Sequence, residues 1–353
     1  MSDRTESLKE RIVHLEYNRD LIKVRISEYV SPTEVPLQLK KDLDAREREL
    51  EELKKELQST QRPIPPLLPY MPDRTEQDES LEKAIKQLNH ECPCPVVCLI
   101  HGDEYQCHDM FVQRLLDKSL PSMLYLKQDQ KVESYRFTWP TEFKSKEQFH
   151  EKLERSLLIA LRRGVKWQAQ WDTQEQTAPS TEEINRQFAD HPVPVFVYTH
   201  VMTTDWFNHK EDMLMWFLEF WQKWPPLTTG QRLFVCWFMK YELKKSSNFL
   251  KTRGFKKANR KIKEILEPPG AVEQRWSSFN RIICTVMPEL KNITLREAQD
   301  WARDDETKIY CDCDIENVIT KISSIYKEWE RETASSVISM GELANQLKKQ
   351  ILT

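Results

Sequence analysis

Apolar side chains recur at helical spacing over residues 5–29, at Leu8, Ile12, Leu15, Ile22 and Ile26, with Arg19 interrupting the stripe. Residues 36–58 repeat the pattern with Leu39, Leu43, Leu50, Leu53 and Leu57 among Glu, Lys and Arg. Between them, Ser31-Pro32-Thr33-Glu34 offers a cap and a proline suited to starting a second helix. Two such helices joined by a short turn predict an antiparallel helical hairpin, a coiled coil over residues 1–60. One pair rarely hides all its apolar surface. The seam is therefore expected to meet a protein partner or a second copy in a homodimer; the other reading folds it back on its own body.

The stretch 61–78 holds five prolines (Pro63, Pro65, Pro66, Pro69 and Pro72) and is expected to be a semi-rigid linker. Beyond it the periodicity changes. Short β-branched or aromatic runs predict strands at Pro95–Ile100, Met123–Leu126, Val193–Tyr198, Leu233–Lys240 and Arg281–Val286. Amphipathic segments predict helices at Glu79–Asn89, Asp109–Lys118, Lys146–Arg163, Trp206–Trp224 and Lys256–Leu266. This alternation predicts an α/β domain over residues 79–303: a mostly parallel sheet with helices on both faces. A helical segment, 304–353, follows. The aromatic stripe of Trp206–Trp224 reads as core, with a partner-binding face as the alternative.

Composition narrows the function. Hydrophobic residues make up 39% of the 353, enough for a sizeable core, and a net charge of −3 gives no general pull toward nucleic acid or acidic membranes. No apolar run approaches the roughly 18–20 residues of a membrane helix, and the charged start Met1–Glu6 is not that of a signal peptide. A cytoplasmic protein without membrane contact is expected, its eight cysteines reduced. Glycine is the telling number: there are six in all, and the first is Gly102. Phosphate-binding loops use glycine where backbone must approach phosphate closely, so a chain this poor in it has little capacity for such loops.

After the first strand comes His101-Gly102-Asp103-Glu104-Tyr105-Gln106-Cys107-His108-Asp109, where a P-loop belongs. Aligned to G-x-x-x-x-G-K-[ST], Gly102 fills the first glycine, Cys107 the second, His108 the lysine and Asp109 the magnesium-binding hydroxyl. Cys107 adds a Cβ where backbone should wrap phosphate. His108 is shorter than lysine and mostly neutral at pH 7. Asp103, Glu104 and Asp109 set negative charge where polyphosphate would lie. The later strand fails likewise: it ends in Thr199-His200, and the next acid, Asp205, comes too late to serve magnesium. The segment Gly102–Asp109, Gln106 included, thus reads either as a degenerate nucleotide loop or as a strand-to-helix loop that never bound nucleotide.

The wording of Gly102–Phe111 resembles the inactive STAND family, relatives of the signal-transducing P-loop NTPases. So does Pro288–Trp301, with its Pro-Glu-Leu-Lys-Asn-Ile-Thr-Leu-Arg-Glu sequence. The resemblance spans about residues 80–303 and leaves the hairpin outside. It implies a P-loop-NTPase-like scaffold without chemistry, needing no cofactor, used to couple protein partners to effector components in signalling or defence (conflict) systems.

Three other constellations carry candidate chemistry. Lys240–Lys263 holds ten Lys or Arg, among them Lys244, Lys245, Lys251, Arg253, Lys256, Lys257, Arg260 and Lys261, against one acid. It reads as a solvated face or as a non-specific nucleic-acid site. Cys92-Pro93-Cys94 and Cys311-Asp312-Cys313 have too short a spacing for zinc. His101 with Cys236 gives a caspase-like pairing only if Cys236 leaves its strand. The expectation is a non-catalytic adaptor; the alternatives are a residual nucleotide binder or slow NTPase, and a nucleic-acid binder through 240–263.

Overall fold

The computed structural model describes residues 2–29, 35–60, 64–72, 74–91, 94–127, 130–164, 181–182, 185, 193–227, 230–243, 249–268, 279–310 and 315–352. The chain forms two compact units: Met1–Leu68 with Ala302–Ile319, and Pro69–Trp301 with Thr320–Ile351.

In the first unit, α1 (Ser2–Ser27) and α2 (Leu37–Thr60) form the hairpin. Leu8, Ile12 and Leu15 close on Leu50 and Leu53 in a small buried cluster. Lys54–Glu16 at 2.8 Å and Lys23–Glu47 at 3.0 Å tie the rims. Because the earlier residue on one helix meets the later on the other, the pairing is antiparallel. The apolar seam does not use up α1. At 3.6 residues per turn, Val13, Tyr17, Leu21 and Val24 form a second stripe on the opposite side of the helix. They are 66%, 64%, 45% and 58% exposed.

The second unit is built on a five-stranded parallel sheet in the order β2-β3-β4-β1-β5. Its strands are β1 (Val96–Asp103), β2 (Glu133–Arg136), β3 (Val195–Met202), β4 (Leu233–Tyr241) and β5 (Ile283–Val286). The period of two sorts their side chains. Val97, Leu99, Val235 and Trp237 face α6 (Lys146–Gly164), α7 (Thr203–Gln222) and α8 (Phe249–Leu266). Val96, Cys98, Ile100, Cys236 and Phe238 face α3 (Thr75–Glu91) and α4 (His108–Arg114). Central strands buried on both faces explain the unbroken apolar runs of β1 and β4. Trp206, Phe217, Phe220, Trp221 and Trp224 are buried, so most of the aromatic stripe of α7 is core, while Phe207 is left exposed.

Sequence and structure differ at several places. Met123–Leu126 is no strand: α4 continues through a π-helical turn, Leu115–Ser119, into α5 (Leu120–Met123), and Tyr125 then reverses the chain at φ 52°. The second strand is Glu133–Arg136, an edge strand whose polar composition hides it from a hydrophobicity reading. Residues 75–78 of the proline stretch belong to α3, and Leu67, Leu68 and Pro72 are buried. After α9 (Leu295–Arg303), α10 (Asp305–Tyr310) and α11 (Ile315–Thr333), the tail is not helical throughout. β7 (Val337–Ile338) pairs antiparallel with β6 (Ile293–Thr294) before α12 (Met340–Gln350) begins. Thr320–Ile351 thereby joins the sheet's compact unit. Among the described residues, no helix is long and apolar enough to cross a membrane.

Candidate functional site

The carboxyl ends of β1, β3 and β4 and the loop into α4 make up the position where an open α/β sheet would hold a ligand. Gly102 lies there for packing. A Cβ on it would fall 2.8 Å from Leu290 Cβ and 2.9 Å from the Leu290 carbonyl oxygen. Segment 287–290 extends β5 alongside β1, with Leu290 N–H donating to the His101 carbonyl at 2.8 Å. The glycine serves approach of backbone to backbone.

Three amides of the loop are taken within the chain. Glu104 N–H donates to the Tyr241 carbonyl at 3.1 Å, and Gln106 N–H to the Asp103 carbonyl at 3.2 Å. Tyr105 N–H donates to Asp103 Oδ1 at 2.9 Å, placing the Asp103 carboxylate inside the loop. Gln106 Nε2 bridges Asp103 Oδ2 and Asn292 Oδ1 at 3.1 and 2.6 Å, and Arg74 holds Gln106 Oε1 at 3.2 Å. Burial pushes the Asp103 carboxyl up, against the hydrogen bonds from Gln106 and Tyr105. Glu104 accepts from Leu243 N–H at 2.8 Å. Cys107 sits at φ 53°, the left-handed conformation a P-loop gives to glycine. The Gly341 amide, opening α12, donates to the Tyr105 carbonyl at 3.0 Å.

The basic position is inverted. His108 is buried, and its Nε2–H donates to the Asp103 carbonyl at 2.9 Å. Burial lowers its pKa to about 3, so it is a neutral imidazole packed against Phe238. Asp109, in place of the magnesium-binding hydroxyl, faces two cations, Lys240 Nζ at 3.2 Å and Arg136 at 3.8 Å, and the imidazole of His200, with Nε2 at 3.6 Å. Burial alone would raise its carboxyl, but His200 and Lys240 outweigh that and hold it below its ordinary range. His200 is itself lowered to about 4 by burial and by Lys240.

The second acid has another task. Asp205 Oδ2 accepts from Met202 N–H at 2.8 Å, capping α7. Glu242, buried, accepts from Thr204 N–H at 2.7 Å at the same helix start. These residues do not fit a magnesium–nucleotide: the Glu104, Tyr105 and Gln106 amides are occupied, the cation site is a neutral histidine, and the candidate metal ligands are paired or capping. Among the described residues, no cluster of His, Cys, Asp or Glu has the makings of a metal site.

The caspase-like pairing fails on topology. Cys236 lies with Cys98 on the α3–α4 face, whereas His101, three residues on from Cys98, has the opposite parity on β1. Burial holds the Cys236 thiol far above its ordinary range. His101 is instead bonded to Tyr241 at 2.8 Å, with Glu267 3.3 Å from its other nitrogen.

In the basic segment, Lys244 and Lys245 lie outside the described residues, as does the Lys251 side chain. Arg253, Lys256, Lys257, Arg260 and Lys261 form the exposed side of α8, whose other side buries Ile262, Ile265 and Leu266. That is ordinary amphipathic patterning. Sequence reasoning missed Arg136, and it placed Lys240 only in the basic run and Asn292 only in the late segment, since their contacts with Asp109 and Gln106 arise when distant elements meet.

Residues 69–239 match the family model described as inactive STAND. No curated protein matches the chain. Among solved structures, the ORC2 protein of Aeropyrum pernix in its ADPNP–ADP complexes is 11% identical, covering 82% of this chain and 71% of that chain at a TM-score of 0.36. A Walker-type ATPase of Pyrococcus abyssi is 10% identical, covering 79% and 72% at a TM-score of 0.29. Both likenesses are too distant to bear on function.

Proposed function

We propose that this chain, whose residues 69–239 form an inactive STAND domain, is a non-catalytic adaptor that binds protein partners through the outer face of α1. The observation that carries the reading is the stripe Val13–Tyr17–Leu21–Val24, left exposed after the hairpin has closed its own seam. Four large apolar residues in line over about 16 Å of helix present the i, i+4 anchors that helix-in-groove or helix-to-helix recognition uses. A second copy is the simplest occupant, since two identical stripes are self-complementary about a two-fold axis. The family supports the rest: a cytoplasmic component of a signalling or defence assembly in which the sheet domain holds effector components without turning over nucleotide.

Sedimentation velocity on the full chain, beside a Val13→Glu/Leu21→Glu variant, tests this. Self-association lost in the variant, with unchanged circular dichroism, supports the reading. A wild-type chain that neither self-associates nor loses any partner when the stripe is charged would sink it. Calorimetric titration with magnesium–ATP, –ADP and –GTP addresses the alternative, and no saturable binding is expected.

A further inference from the structure

β2 is the edge of the sheet, bonded on one side by β3. Glu133 N–H donates to the Pro194 carbonyl and Phe137 N–H to the Tyr198 carbonyl, both at 3.0 Å. By the two-residue period of a strand, the odd positions serve β3, and the amides and carbonyls of Ser134 and Arg136 point to the free edge. The next even position shows what that edge accepts: Thr138 N–H donates to Ser156 Oγ at 2.8 Å, and Ser156 donates back to the Thr138 carbonyl at 2.7 Å. One serine of α6 thus completes the edge where the helix is near. At Ser134 and Arg136, helix and strand stand apart.

The gap is a cleft of about 580 Å³ between β2 and α6. Among the described residues it is lined by Arg136, Lys152 and Arg155, by Ser134, Thr138 and Ser156, by Tyr135, whose hydroxyl donates to the Glu133 carboxylate, and on its apolar side by Ile159 and Ala160. Lys152 donates to the Glu142 carbonyl, an uncharged acceptor. Arg155 has no ion-pair partner among the described residues, and Arg136 reaches only Asp109, across 3.8 Å. Three cations beside an open strand edge, in a chain of net charge −3, are arranged for an anionic guest. Proteins commonly guard an edge with a single outward charge. Guarding alone needs neither a concave wall nor cations contributed by a neighbouring helix.

We propose that this cleft binds an acidic peptide segment of a partner protein in extended form, added to the sheet as a strand beside β2. Main-chain bonds to Ser134 and Arg136 would supply pairing, and alternate carboxylates would meet Arg155, Lys152 and Arg136. The proposal rests on the reading of the chain as a protein-binding scaffold, but uses a surface remote in sequence from the α1 stripe.

The test is fluorescence anisotropy of the full chain with a labelled octapeptide alternating glutamate with valine. Three comparisons go beside it: Arg155→Glu/Lys152→Glu, the same peptide N-methylated at alternate amides, and a single-stranded oligonucleotide as competitor. Saturable binding weakened about tenfold or more by charge reversal, and abolished by N-methylation, is expected. Absence of binding overturns the proposal. So does equal affinity for the N-methylated peptide, or equal displacement by the oligonucleotide, since either makes the cleft a plain anion site. Val13→Glu/Leu21→Glu should leave the peptide affinity intact, which separates failure here from failure of the α1 interface.

Discussion

The loop after β1 and the outer face of α1 are opposite cases. In the loop, Glu104, Tyr105 and Gln106 spend their amides within the chain, and Asp103 fills the concavity with its own carboxylate. On α1, Val13, Tyr17, Leu21 and Val24 meet water although each would gain by leaving it. A loop that turns three of its amides and a carboxylate inward has little left to offer a phosphate. One with unsatisfied apolar area has free energy in reserve for a partner. The nucleotide-like position is thus the least promising binding surface, although it is where the fold would direct attention.

Substitutions can break that contrast, and the largest effect is expected at Gly102. Gly102→Val drives a side chain into the Leu290 backbone and should cost about 3 kcal/mol, read by urea denaturation. A stability change near zero would mean that 287–290 is loosely held and the loop less closed than described. Next comes the inner side of the hairpin: Leu50→Ala should cost about 2 kcal/mol, whereas Val13→Ala should stay within about 0.5 kcal/mol and act on association alone. Equal losses would abolish the distinction between the two faces of α1.

The loop's histidines give a smaller, pH-dependent signature. His108 and His200 are lowered to about 3 and about 4 in the folded chain, from 6.5. Between those values and 6.5 the unfolded chain binds the extra protons, so their contribution is complete above pH 6.5 and is lost as pH falls through 6 toward 4. His108→Gln should flatten the midpoint-against-pH curve in that window; an unchanged slope would place the acid sensitivity elsewhere. The smallest effect belongs to Asp109, whose cations are partly solvated. Asp109→Asn should change stability by no more than about 0.5 kcal/mol, and a larger loss would promote the Lys240–His200 cluster to a structural role.

Much of this was legible from pattern alone. The hairpin, β1, β3, β4 and the helices α6 and α7 announce themselves because their burial is periodic or complete. The failures share a cause. β2 carries Glu133, Ser134 and Arg136, a sequence that says nothing of strand because one edge faces solvent, while Met123-Leu124-Tyr125-Leu126 looks like a strand and ends a helix. At the loop, Cys107, His108 and Asp109 are visible as departures from a phosphate-binding pattern. What fills the gap is not visible, because Leu290, Asn292, Lys240 and Gly341 come from strands and helices far along the chain.

The bond from Gly341 to the Tyr105 carbonyl has a consequence in time. Translation delivers Tyr105 long before Gly341, at roughly 5–20 residues per second. During that interval the sheet has its first strand but not the helix start that pins the turn after it. This clasp comes last, and a nascent chain or a product truncated ahead of Ser339 carries the loop held by Tyr241, Asn292 and Arg74 but without the Gly341 bond.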